Sequence, residues 1–112
     1  MRDLLKKDLH TLILSVLMDG PIHGYGISRK IEARSNSMLK MREGSLYPAL
    51  RTLEQEGLIG GTWEVQESGP ARRVYEITAQ GRMEYSRRAA EWKEYVTMVD
   101  SLIGGTTNAL PA

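Results

Sequence analysis

The sequence predicts a mainly α protein with one small β-hairpin, an α+β chain. Three observations carry this expectation. Apolar residues recur at spacings of three and four through four separate stretches. Two short alternating runs flank a Gly-Pro turn, the pattern of a hairpin. That hairpin falls between the third and fourth helical stretches, so three helices precede it and one long helix follows.

The first helix is expected from about Leu4 to Met18. Leu5, Leu9, Leu12 and Val16 form its apolar stripe, widened by Ile13 and Leu17, and Asp19, Gly20 and Pro21 end it. The second is expected to start at the glycines flanking Tyr25 and to run to about Arg34, with Ile27 and Ile31 inward. Gly24 and Gly26 are read as a close packing point and a tight turn. No strand precedes them and no GK[ST] follows, so neither phosphate-loop context exists.

The third helix, within Gly44–Ile59, has two unlike faces. Leu46, Leu50 and Leu53 lie on one side; Tyr47, Arg51 and Gln55 lie on another. Ser45 is placed as its N-cap, which puts Pro48 at the third helical position, and Gly57 is expected to end the helix with a positive φ. Gly60 and Gly61 are read as a break before the hairpin. In the hairpin Trp63 and Val65 share one face of the first strand. Tyr75 and Ile77 share one face of the second, opposite Val74 and Glu76. Three helices followed by a hairpin is the order of a winged helix-turn-helix.

Thr78 is placed as the cap of a long helix over Ala79–Ile103. Tyr85, Ala89, Trp92, Val96, Val99 and Ile103 repeat at four, three, four, three and four, a heptad seam that one small domain cannot cover. Homodimerisation through this seam is therefore expected, with Leu5 and Leu9 of the first helix packing across it. The expected division is residues 1–78 as a DNA-binding unit, 79–103 as a dimerisation helix and 104–112 as a disordered tail.

With 112 residues, 41% of them apolar and 26% charged, a single globular domain is expected. Asp3, Lys6, Lys7 and Asp8 rule out a signal peptide or membrane span at the start, and a cytoplasmic protein is expected. There is no cysteine, so His10 and His23 have no Cys neighbours and no structural zinc site is expected, nor any other metal or cofactor. No nucleophile, base or carboxylate pair suggests an enzyme. The net charge of +1 requires any DNA contact to come from local clusters. Those are Lys40, Arg42 and Arg51 in one region, and Arg72 and Arg73 at the wing tip with Gly69 and Pro70; the residues expected to touch DNA are Tyr25, Lys40, Ser45, Tyr47, Arg51, Thr52, Arg72 and Arg73.

The strings HGYGI, GSLYPALRTLEQEGLI, GPARRVYEIT and AQGR resemble the PadR family of bacterial transcription regulators, in order and spacing, from about residue 8 to 103. The resemblance implies a short-form homodimeric winged-helix repressor on an inverted-repeat double-stranded DNA operator. It also implies, as in some members, release by a small aromatic or cationic compound. Trp92 looks like the aromatic that lines a pocket between protomers in the drug-sensing branch, with Tyr95 and Val99 near it. Glu64, Glu67 and Glu76 depart from a strongly basic wing and leave its tip as the expected contact. The alternative is a winged-helix module that docks a protein and no longer reads DNA.

Overall fold

The computed structural model describes residues 6–104; Leu5 and the tail beyond Gly104 lie outside the described residues. Helix α1 (Lys6–Leu17) presents Ile13, Leu14, Val16 and Leu17 to the core, all essentially inaccessible to water. Leu9 and Leu12 are only partly buried and flank that core. The fully buried face thus lies to one side of the expected Leu5–Leu9–Leu12–Val16 line. Strand β1 (Ile22–His23) follows, then α2 (Gly24–Arg34), with Ile27 and Ile31 buried. His23 caps α2: its Nδ1 accepts from the Gly26 amide at 3.1 Å, satisfying one donor of the open first turn.

Helix α3 (Glu43–Gln55) starts two residues before the expected cap. Arg42 occupies the N-cap position, and its carbonyl accepts from the amides of both Ser45 and Leu46 at 2.9 Å. Ser45 therefore lies inside the first turn and caps nothing. Pro48 falls in the second turn, not at the third position, so the Gly44 carbonyl lacks its usual amide partner from residue 48. Leu46, Ala49, Leu50 and Leu53 form the buried face. The helix ends at Gly57, whose φ of +77° suits a residue without Cβ.

Strand β2 (Ile59–Glu64) pairs antiparallel with β3 (Arg72–Ile77), and β1 pairs with the other edge of β3, giving the order β1-β3-β2. Gly60 and Gly61 do not break the pattern. They lie within β2, opposite Glu76 and Tyr75. Ile59, Tyr75 and Ile77 face the core, as the alternation predicted for the second run. Val65 lies beyond the end of β2 and is exposed.

Helix α4 (Ala79–Leu102) is capped by Thr78, whose Oγ1 accepts from the Gly81 amide at 2.9 Å. Its first half packs beside α1, where Tyr85 is partly buried against the core. Among the described residues no helix is long and apolar enough to cross a membrane. The architecture is the expected α+β: four helices and a three-stranded antiparallel sheet.

Candidate nucleic-acid interface

The buried leucines of α3 fix which residues it turns outward. Gly44, Ser45, Tyr47, Pro48, Arg51 and Gln55 are exposed, and Thr52 is half-exposed. This face has a cation, three hydroxyl groups and little bulk near its start, which suits close approach to a groove. Arg51 is exposed, and among the described residues it forms no ion pair with another side chain. Tyr47 stands at the edge of the face. Its ring lies against Gly24, where a Cβ would come 2.8 Å from the tyrosine oxygen. The packing role expected of Gly24 is thus met by α3.

Tyr25 is exposed in the first turn of α2. Its oxygen accepts from Arg29 Nη1 at 2.8 Å, and the Arg29 guanidinium carbon lies 5.5 Å from the ring centroid. Its ring is nearly parallel to that of His23, at 6.4 Å. Arg29 is held more firmly protonated, chiefly by the hydrogen bond to Tyr25. Lys40 is exposed in the connection between α2 and α3. That connection is fixed by Ser35, whose Oγ accepts from the Leu39 amide at 3.0 Å, and it carries Leu39 and Met41 onto the core.

The two wing arginines are not at the tip. Arg72 is the first residue of β3, and its Nε donates to Glu64 Oε1 at 3.0 Å across the hairpin. Arg73, the next residue, reaches back to α3, where its Nη2 donates to Glu54 Oε2 at 2.8 Å. Their strand positions leave Gly69 and Pro70 in the turn itself. Sequence reasoning did not single out Glu54. Its signal was its place four residues after Leu50, on the flank of α3 that faces the sheet.

On α4, Trp92 is 55% exposed, and its ring sits 5.7 Å from that of Tyr95. Val96 and Ile103 are exposed, while Ala89 and Val99 are half-buried. Leu9 and Tyr85, expected at a dimer contact, already pack on the core of their own chain. Between α1 and α4 runs an open groove of about 510 Å³, whose walls include Leu12, Tyr85, Ala89, Trp92 and Tyr95. Val99 is not part of its lining. Arg88 is partly buried along this groove; its Nε bonds Glu84, while its buried Nη1 has no partner among the described residues.

Three helices, an antiparallel wing and an outward-facing α3 define a winged helix-turn-helix protein. The model of the Transcriptional regulator PadR-like family matches residues 13–87, and the chain belongs to this family of transcriptional regulators. It is 33% identical over 93 residues to the transcriptional regulator Rv3488 of Mycobacterium tuberculosis, covering 81% of this chain and 83% of that protein. The crystal structure of a PadR-like regulator from Bacillus cereus superposes with a TM-score of 0.76 at 31% identity, over 91% of this chain and 97% of that one. A PadR-like transcription factor of Bacteroides fragilis gives 0.76 at 29%, over 87% and 91%.

Proposed function

We propose that the protein is a sequence-specific DNA-binding repressor that acts as a homodimer on an inverted-repeat operator. The observation that carries this reading is the α3 face. Gly44, Ser45, Tyr47, Pro48 and Arg51 are all exposed, opposite four buried apolar residues, on the helix next to the wing. In this reading residues 1–78 form the DNA-binding unit, and 79–103 pair the two copies through Trp92, Val96, Val99 and Ile103. A two-fold dimer sets two α3 helices about one DNA turn apart, so half-site centres fall about 10 bp apart or a multiple of that. A small planar aromatic compound releases the DNA by entering the groove beside Trp92 and Tyr95.

Retention of random DNA fragments at moderate salt, followed by sequencing, tests the reading. Enrichment of an inverted repeat is the expected result. Retention without any enriched sequence removes the operator. A second reading, a module that docks a protein, is favoured by one observation: Arg72 and Arg73 are both already paired with carboxylates. Failure to retain DNA at any salt concentration selects it.

A further inference from the structure

Arg73 makes more contacts than a solvated wing residue would. Its side chain crosses over Gly61 on the neighbouring strand, where a Cβ would come within 2.6 Å of its Nε. Its guanidinium carbon lies 5.4 Å from the ring centroid of Trp63 and 6.0 Å from that of Tyr75. Beyond these rings it meets Glu54 of α3 at 2.8 Å, with both charged side chains about 30% exposed, at 30% and 28%. Among the described residues this is the one ion pair joining α3 to the wing. A planar cation set beside two aromatic rings and bonded to a carboxylate keeps one orientation far better than a flexible ammonium would. The Glu54 hydrogen bond also holds Arg73 more firmly protonated.

We propose that Arg73 is a positioning residue and not a DNA contact: with Glu54, Trp63 and Gly61 it clasps the wing to α3 and fixes the angle at which Arg72 and the Gly69–Pro70 turn approach the DNA that Arg51 reads. The inference rests on the DNA-binding reading above. Releasing Arg73 to a phosphate would leave the Glu54 carboxylate unpaired one helical turn from Arg51, on the approach of a polyanion. Clasped, the two charges cancel, and Glu54 repels DNA less.

The phosphate-contact alternative predicts the opposite sign for one substitution. If Arg73 binds phosphate, Glu54→Ala frees it, removes a negative charge and tightens DNA binding. If Arg73 positions the wing, Glu54→Ala loosens the wing and weakens binding. The experiment uses the full chain and an operator fragment obtained by selection with the wild type. Wild type, Glu54→Ala, Arg73→Ala, Arg73→Lys and the Glu54→Ala/Arg73→Ala double variant are titrated at several salt concentrations. Amide exchange of β2 and β3 is followed in each free protein, and far-UV circular dichroism checks that each is folded.

The expected result is a loss of about tenfold or more for each single variant, Arg73→Lys included, with the double variant no weaker than the singles. The salt slope stays at the wild-type value and the wing amides exchange faster. Tighter binding by Glu54→Ala overturns the proposal. So does a salt slope lower by about one in Arg73→Ala with Arg73→Lys near wild type, the behaviour of a lost phosphate contact. If the wild type selects no DNA, the repressor reading fails and the exchange measurement alone decides the clasp. Unchanged wing exchange in folded Glu54→Ala then overturns it; faster exchange upholds the structural half.

Discussion

The carbonyl oxygen of Leu58 occupies the space that a side chain at Gly81 would need. That oxygen is held in place, because it accepts the Thr78 amide at 3.0 Å where β3 turns into α4. A methyl group at residue 81 must push backbone against backbone. Gly81→Ala should therefore cost about 3 kcal/mol and lower Tm on the order of 10 °C, although alanine is the better helix former. Thermal unfolding by circular dichroism measures it; a Tm equal to wild type would show that the joint can yield.

Arg51→Ala should leave unfolding unchanged, since the side chain is exposed. It should cost roughly 1–3 kcal/mol of operator binding if the guanidinium pairs a base. Arg72→Ala should weaken binding evenly across sequences and flatten its salt dependence, as expected of a phosphate contact. Competition titrations with operator and scrambled fragments separate the two behaviours. Unchanged affinity in both variants would remove α3 and the wing from the interface.

Sedimentation at micromolar concentration should give one species of twice the chain mass. Val96→Glu adds a charge to the exposed seam of α4 and should shift that species to monomer without unfolding the chain, because Val96 is exposed in the single chain. A wild-type monomer, or a Val96→Glu dimer, would remove the seam from the assembly.

Planar aromatic compounds should quench Trp92. Trp63 and Trp92 are the only tryptophans, so quenching in a Trp63→Tyr variant reports on the groove alone, while operator affinity is followed in the wild type because Trp63 belongs to the clasp. Apolar burial and ring stacking supply a few kcal/mol, on the order of what millimolar binding needs, provided the space already exists. Quenching should be accompanied by loss of operator affinity. Quenching with unchanged affinity keeps the site and removes the switch.

Glu84 accepts from Arg87 Nη2 at 2.7 Å and from Arg88 Nε, and these bonds, Arg87 first, hold its pKa down to about 2. A carboxyl group whose folded pKa is depressed stabilises the protein above its unfolded pKa. That stability is lost as pH falls toward the folded value. The window here runs from about pH 4.5 down to about pH 2. With the carboxylate partly open to solvent, the effect should be about 1 kcal/mol. Urea unfolding of wild type and Glu84→Gln at pH 5 and pH 3 measures it. The gap between them should narrow at the lower pH, and a constant gap would refute the assignment.

Much of this arrangement was legible in the residues. The α3 leucines, the Thr78 cap and the Tyr75/Ile77 face follow from periodicity, because burial on one side of a helix or strand imposes a repeat. Strand β1 was not legible. Two residues have no period, and Ile22 and His23 become a strand only because the edge of β3 is available. The start of α3 was misplaced because Ser45 offered a better cap by type than Arg42, whose backbone does the work. Gly60 and Gly61 read as a break because glycine weakens isolated strands. Only the side chain of Arg73 lying over Gly61 explains the glycine there. At the candidate interface, the exposed side of α3 was readable, but the carboxylate partners of Arg72 and Arg73 required the fold.

Thr78 is the single residue between the wing and α4, and it is bonded on every side. Its amide is taken by Leu58, its hydroxyl donates to Gly57, and the same oxygen receives the Gly81 amide. These bonds tie the start of α4 to the wing, so a tilt of one is passed to the other. At 1.5 Å per residue the 24 residues of α4 make an arm of about 36 Å, so a swing of roughly 10° at the joint carries the far end about 6 Å. Run in reverse, a displacement of several ångströms where two such arms would cross in the proposed dimer returns as a few degrees of tilt at the wing. That gearing trades a coarse movement at one end for a fine one at the other, and fine angular error is what a groove reader tolerates least.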